Sequence, residues 1–567
     1  MENTVNAGPV TKIRITAPSF PAAWLQDFER ISSIIRVRIE ERCSARVVND
    51  PLGLEIILSM DENIPEEGFG IEAEEGRITI RGRSPLGILY GAGKLLHTSG
   101  YSDDGFLPSG WHGVSVPDSK VRGIYFASHF YNWYHVASEE EIARYMEDMA
   151  LWGMNSVLLV FPIVNLPCWE DDAAEQCFRQ LVKYYTLAKR LNLKAGLLVC
   201  PNQDFQCFRQ EYRAVENPDP LSRRGNLGNN ICPSKPGATD YITGILEEAF
   251  RKLEGISLDY LCFWPYDEGG CACEKCFPWG SNGFLKLSEH LASVARRYFG
   301  DIRVILSTWM FDTPYEGEWE GIAAQLSRKE SRVQYILADA HEDFPRYPLE
   351  HPVPGGVPLL NFPEISMWGL WPWGGYGANP LPERFERLWE QVRHIVRGGF
   401  PYSEGIFEDI NKVVVTQFYW GAWRKAEETL REYISYEYSN RVVPEVLDII
   451  RRVEDNHTRA AAGQKIDPVS AEKAYETAVR VDAELAERAR KSWRWRILYL
   501  RTLLDRQRYR RAAEYGGILP EGKNWGQLLE GDPDSENAMR ELIGIYHSRL
   551  KPKPGEHHMS VRPPLKL

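Results

Sequence analysis

"VRGIYFASHFYNWYHVASEEEIARYMEDMALWGMNSVLLV", Val121 to Val160, decides the fold. Its two ends, "VRGIYF" and "NSVLLV", are short, nearly continuous apolar runs of the kind a strand buried on both faces shows. Between them "SEEEIARYMEDMALWG" carries apolar residues at helical spacing. Ser138 and Glu141 are set as a capping box, and Gly153 is placed to end the helix. Strand, helix and strand in that order make a parallel βαβ unit. The rhythm recurs in "LKAGLLVC", "LDYLCFW", "RVILSTW", "VQYILAD", "VPLLNF" and "GGFPYSEG", with amphipathic segments such as "GFLKLSEHLASVARRYF" between them. Eight such strands alternating with helices predict an α/β fold, a (β/α)8 TIM barrel, over residues 119–425. An open doubly wound sheet competes, but no Gly-rich phosphate fingerprint follows any of the strands.

Working outward, residues 1–118 read as a small α/β domain. "TKIRITA", "GLEIILSM", "FGIEAEE" and "RITIRGR" have strand patterning. Ser84 then caps a helix with Pro85 at its first position, and Leu86, Leu89, Gly93 and Leu96 share one face. Downstream, residues 426–567 carry only helical patterns, ending in a Pro- and Lys-rich tail that reads as frayed or extended.

The formal net charge of −12 argues against nucleic acid as a partner, because phosphate neutralisation needs a basic face. The Arg-rich run "RKSWRWRILYLRTLLDRQRYRRAAEY" reads as a solvated helix face. Neither a signal peptide nor a membrane span is evident. Ten cysteines among 567 residues are too sparse for a disulfide scaffold, so the expectation is a cytoplasmic protein with reduced thiols. A homo-oligomer is left open.

Barrel enzymes work at the C-terminal ends of their strands. There the sequence sets His129, Asn132 and Trp133 after strand 1, Asn202 after strand 3 and Asp267–Glu268 after strand 4. Trp309 follows strand 5, Asp339 ends strand 6, Glu364 follows strand 7 with Trp368, Trp371 and Trp373 beyond it, and Glu404, Glu408 and Asp409 follow strand 8. Neither a nucleophile elbow nor a phosphate-binding Walker loop is present, which removes support for acyl and phosphoryl transfer. Carboxylates flanked by indoles suit acetal hydrolysis: one acid protonates the leaving oxygen, and another stays ionised on the opposite face. Trp faces stack on sugar rings, and Asn, Asp and His bind hydroxyls. The expected partner is an oligosaccharide or glycoside. Within the strand-4 loop the adjacent acids of "YDEGG" are the strongest catalytic candidates, since paired carboxylates repel and Gly269–Gly270 permits a close backbone approach.

The stretch "GIEAEEGRITIRGRSPLGILYGAGKLLHT" resembles the small domain that precedes the barrel in family 20 hexosaminidases and family 67 α-glucuronidases. The segment from Val121 to Val160 is similar to their first βαβ unit, including the opening Arg122–Gly123. The resemblance implies that Glu268 is the general acid and that Asp267 orients a substrate 2-acetamido group in substrate-assisted retention. The chain departs from the family, however. "WPY" precedes the acidic pair where His-x-Gly-Gly is expected, and "ASHF" stands where the family has a substrate-gripping Arg. The alternatives are hydrolysis of a sugar without an acetamido group, using Glu268 with Glu404 or Glu364, and a carbohydrate-binding barrel without catalysis. A metal-dependent hydrolase lacks support, because His129 and His135 stand six residues apart rather than as His-x-His.

Cys271, Cys273 and Cys276 form a Cys-x-Cys-x-x-Cys, and tetrahedral structural zinc needs four N or S ligands. Cys232 is the candidate fourth, because the loop after strand 3 neighbours that after strand 4 in a barrel. No cofactor is expected for the catalytic step itself; zinc here is structural.

Overall fold

The computed structural model describes residues 8–18, 20–50, 53–216, 229–266, 269–312, 317–327, 331–340, 343–366, 368, 376–518, 527–547 and 560–561. Its centre is a closed ring of eight parallel strands: Val121–Phe126, Ser156–Val160, Lys194–Val199, Tyr260–Phe263, Arg303–Ser307, Val333–Ala340, Leu359–Pro363 and Val396–Gly399. The ring closes where Gly398 pairs with Val121 and Gly123 with Ser156. A further pair, Tyr402–Ser403, continues the last strand alongside Tyr125–Phe126. Side chains alternate with period two, so Tyr260, Cys262 and Trp264 fill the interior with Leu158, Val160, Leu360 and Phe362, apart from the main core outside the ring. The first barrel helix, Glu139–Leu151, starts on the predicted box: Ser138 accepts from the Glu141 amide and Glu141 from the Ser138 amide.

The N-terminal unit is a six-stranded mixed sheet carrying two helices. Helix Pro85–Thr98 starts at Ser84, whose hydroxyl accepts from Gly87. A Cβ on Gly93 would stand 2.0 Å from the Leu151 carbonyl, so this glycine lets the helix lie directly on the first barrel helix. Helix Leu25–Glu40 has no counterpart in the sequence reading. Ile31, Ile34, Ile35 and Ile39 give it a buried face, but no side chain caps its start. Beyond the barrel come helices Ala426–Glu437, Val443–Ala461, Pro468–Glu484, Trp493–Ala513 and Pro533–Ile545. One short strand, Ser560–Val561, pairs with Phe130–Tyr131. Among the described residues no helix is long and apolar enough to cross a membrane.

Buried charges weld the three units. Arg38 of the first unit reaches Asp148 on the first barrel helix at 2.7 Å. Asp148 also accepts from Arg494 of the C-terminal helices at 3.1 Å, and Arg494 donates to Asp409 behind the last strand at 2.8 Å. Burial opposes ionisation of Asp148, but the arginines around it more than offset that and hold its carboxyl far below the ordinary range. At the start of strand 1, Arg122 donates to Glu67 at 2.7 Å, and Lys194 reaches the same carboxylate at 2.6 Å. Burial alone would raise Glu67; the two cations hold it at about 2.

The Arg-rich helix corrects the sequence expectation. Arg494, Arg501 and Arg508 recur every seventh residue and are buried, Arg501 on Asp505 at 2.9 Å and Arg508 on Asp505 at 2.6 Å. Only the other side of this helix, with Arg496, Arg506 and Arg510, is a solvated face. A guanidinium tolerates burial where acidic partners face it: Asp148 and Asp409 from distant segments for Arg494, and Asp505 of the same helix for Arg501 and Arg508.

Candidate functional site

At the C-terminal ends of the strands five rings form a continuous floor: Tyr125, Trp264, Trp309, Phe362 and Tyr402. Trp264 and Trp309 stack at 5.3 Å, and Trp264 meets Phe362 at 5.0 Å. Tyr125 lies 5.3 Å from Phe362 and stacks on Tyr402 at 5.5 Å. Each comes from a strand's last inward position or the first residues beyond it, so the floor is built by the barrel itself. Of the five, only Trp309 is among the candidates read from sequence.

Two predicted carboxylates stand beside this floor. Glu404 is 1% exposed and accepts from the Tyr402 hydroxyl at 2.5 Å. Glu364 is 2% exposed and accepts from the Ser366 amide at 2.5 Å and the Ser366 hydroxyl at 3.0 Å. The backbones of Glu364 and Tyr402 are bridged, which brings the two acids to adjacent strand ends. Asp339, half-buried, is the penultimate residue of the neighbouring strand, in register with Phe362. His129, also half-buried, shares a 3.0 Å hydrogen bond with the Tyr125 hydroxyl.

Other candidates are placed differently. Asn132 is buried and spends its side chain on backbone, accepting from Tyr134 at 3.1 Å and donating to Ala127 at 2.9 Å. Trp133 is buried edge-on to Tyr134 and Tyr145. Trp368 has the Arg384 guanidinium 4.0 Å over its ring, and its carbonyl lies 2.7 Å from His457 of the C-terminal helices, so it ties a loop to that region. Glu408 and Asp409 turn away from the mouth. Burial raises Glu408, opposed by Lys412 at 3.0 Å; Asp409 accepts from Tyr145, Tyr433 and Arg494. Asp267, Glu268, Trp371 and Trp373 lie outside the described residues.

Both flanks of the acidic pair are described, and both are tightly held. On the near side the Trp279 indole donates to the Pro265 carbonyl at 2.8 Å, and the Tyr266 hydroxyl donates to buried Glu318. On the far side Asn202 donates to Gly270 at 2.8 Å and to Ile231 at 2.9 Å, while accepting from the Gly270 amide at 3.0 Å. Asn202 is 0% exposed with its whole amide committed, so it holds this loop rather than lining the mouth. The close approach expected at the glycine pair is to the loop itself: a Cβ on Gly269 would stand 2.5 Å from the Pro265 carbonyl.

Directly beyond Gly270 the four cysteines converge. The sulfurs of Cys232, Cys271, Cys273 and Cys276 all lie within 4.8 Å of one another. Cys232 Sγ is 3.7 Å from that of Cys273 and 4.0 Å from that of Cys276. All ten cysteines are unbridged.

No family model and no curated protein matches the chain. Solved structures share its fold. A GH138 enzyme targeting pectin rhamnogalacturonan II superposes with a TM-score of 0.58 at 12% identity, over 94% of this chain and 74% of its own. A GH89 enzyme from Clostridium perfringens, in complex with its substrate GlcNAc-alpha-1,4-galactose, gives 0.60 at 13% identity, over 92% of this chain and 66% of its own. A GH20 exo beta-N-acetylglucosaminidase from Vibrio harveyi gives 0.50 at 12% identity, over 79% and 76%. The chain thus spans about two thirds of the GH89 enzyme's length. The likeness covers the flanking units as well as the barrel, and it does not single out family 20: the GH89 and GH138 structures match over more of this chain. The fold is that of the barrel glycoside hydrolases.

Proposed function

We propose that the chain is a glycoside hydrolase with Glu268 as general acid and Glu404 as the second carboxylate. The observation that supports this most is Glu404 itself, a buried acid beside a five-ring floor and steadied by the Tyr402 hydroxyl at 2.5 Å. A sugar lying on the rings presents its anomeric carbon between the strand-8 acid and the strand-4 loop. Glu268 gives its proton to the glycosidic oxygen as the carbon–oxygen bond breaks, and the leaving alcohol departs neutral. Glu404 stabilises the developing positive charge, either by bonding to the carbon or by taking a proton from water. In this reading Glu364 and Asp339 bind hydroxyls of the same sugar.

A second reading, substrate-assisted cleavage of an N-acetylhexosaminide with Asp267 orienting the acetamido group, draws on the N-acetyl sugar chemistry named for the GH89 and GH20 neighbours. A panel of aryl glycosides with and without a 2-acetamido group separates the two. Under either reading Glu268→Gln loses about 10²–10⁴-fold in kcat on a substrate with a poor leaving group while still binding sugar. Cleavage of acetamido sugars alone, with Glu404→Gln fully active, selects the second reading. Unchanged turnover in Glu268→Gln rules out both.

A further inference from the structure

We propose that Cys232, Cys271, Cys273 and Cys276 hold a zinc ion as four thiolates, and that this ion fixes the loop carrying Asp267 and Glu268. The spacing argues for the ion. Four sulfurs at about 2.3 Å from one tetrahedral zinc stand about 3.8 Å from each other. The Cys232 sulfur lies 3.7 and 4.0 Å from two of its three partners, far from the ~2.05 Å of a disulfide and close to an edge of that tetrahedron. The fold brings Cys232 and the Cys271–Cys276 segment together so that all four sulfurs lie within 4.8 Å of one another.

The surroundings suit thiolates. The Ser234 hydroxyl lies 3.0 Å from the Cys232 sulfur and 3.4 Å from that of Cys273, where its proton can bridge two negative sulfurs. The amides of Cys276 and Phe277 donate to the Cys273 carbonyl at 2.9 and 3.0 Å, so the Cys-x-x-Cys closes as a tight turn. With four protein sulfurs the ion has no open position for water, so its work is mechanical. It joins the strand-3 loop to the strand-4 loop at the same seam that Asn202 crosses, between Ile231 and Gly270. Gly270 is two residues from Glu268 and one from Cys271. Metal and amide together therefore fix the far flank of the acidic pair, as Trp279 and Glu318 fix the near one.

The positioning half of this inference rests on the proposed function; the metal half does not. The full chain, expressed with zinc supplied, is expected to carry one zinc per chain, and X-ray absorption at the zinc edge to return four sulfurs at about 2.3 Å. A metal-free chain with these thiols titrating freely, bound iron, or zinc held by nitrogen and oxygen overturns the assignment. Cys273 is the least buried ligand, so Cys273→Ser is the mildest way to lose the metal, and Cys273→His keeps a zinc donor. With far-UV circular dichroism unchanged, the serine variant should lose zinc and about a hundredfold in kcat with little change in KM, and the histidine variant should recover both. A zinc-free serine variant that turns over normally sinks the positioning role and leaves the metal site standing. A zinc-loaded chain that cleaves no glycoside sinks the proposed function instead.

Discussion

Glu404 and Asp409 follow the same strand five residues apart, and each is 1% exposed. Their surroundings differ completely. Glu404 rests on a tyrosine hydroxyl beside an aromatic floor, whereas Asp409 accepts from two tyrosines and Arg494 in a charge belt that runs on to Asp148 and Arg38. Depth of burial therefore does not separate the two acids. What the two differ in is the partners seen around them, a tyrosine hydroxyl for Glu404 and two tyrosines with an arginine for Asp409.

The sharpest way to break that contrast is to strip the belt. Arg494→Ala leaves Asp148 and Asp409 buried with a shared cation gone, and should cost about 3–5 kcal/mol, read as a large fall in the denaturation midpoint. A fall below about 1 kcal/mol refutes the belt's structural role. At the mouth the pattern should invert. Glu404→Gln keeps the Tyr402 contact through its amide oxygen, so stability should hold within about 0.5 kcal/mol while kcat/KM drops at least about 10²-fold. A destabilised but active variant would place Glu404 with Asp409 instead. The smallest effect is expected from acid. Glu67, held at about 2 against an ordinary 4.5, contributes up to about 3 kcal/mol above pH 4.5, and this fades as pH falls toward 2. The melting difference between the native chain and Glu67→Gln should narrow steadily from pH 5 to pH 3; a constant gap would show that the ion pair with Arg122 is not what titrates.

Legibility in the sequence followed locality. The eight strands, the Ser138–Glu141 cap and the Ser84 cap are visible because period and capping are properties of a few adjacent residues. The fourth cysteine needed one further step, the adjacency of consecutive barrel loops. The aromatic floor stayed hidden because whether Tyr125 or Tyr402 faces inward depends on strand parity across the whole ring. Asn202 looked like a sugar ligand because an amide's partners cannot be seen until the loops close around it. Burial of Arg494 is hidden for a related reason, its acids being contributed by distant parts of the chain, whereas Asp505 stands at i,i+4 and i,i+3 spacing to Arg501 and Arg508 and is visible in the sequence. Helix Leu25–Glu40 went unseen for want of a starting signal, although its isoleucine spacing carried the period.

The charge belt has a bearing on how such a protein can be cut up. The lines at residues 118 and 425 separate architectures, yet Asp148 draws its countercharges from both sides of them, from Arg38 and from Arg494. A gene fragment encoding the barrel alone inherits the acids and leaves both cations behind, so this ring of strands is not a portable module and its flanks must be inherited along with it.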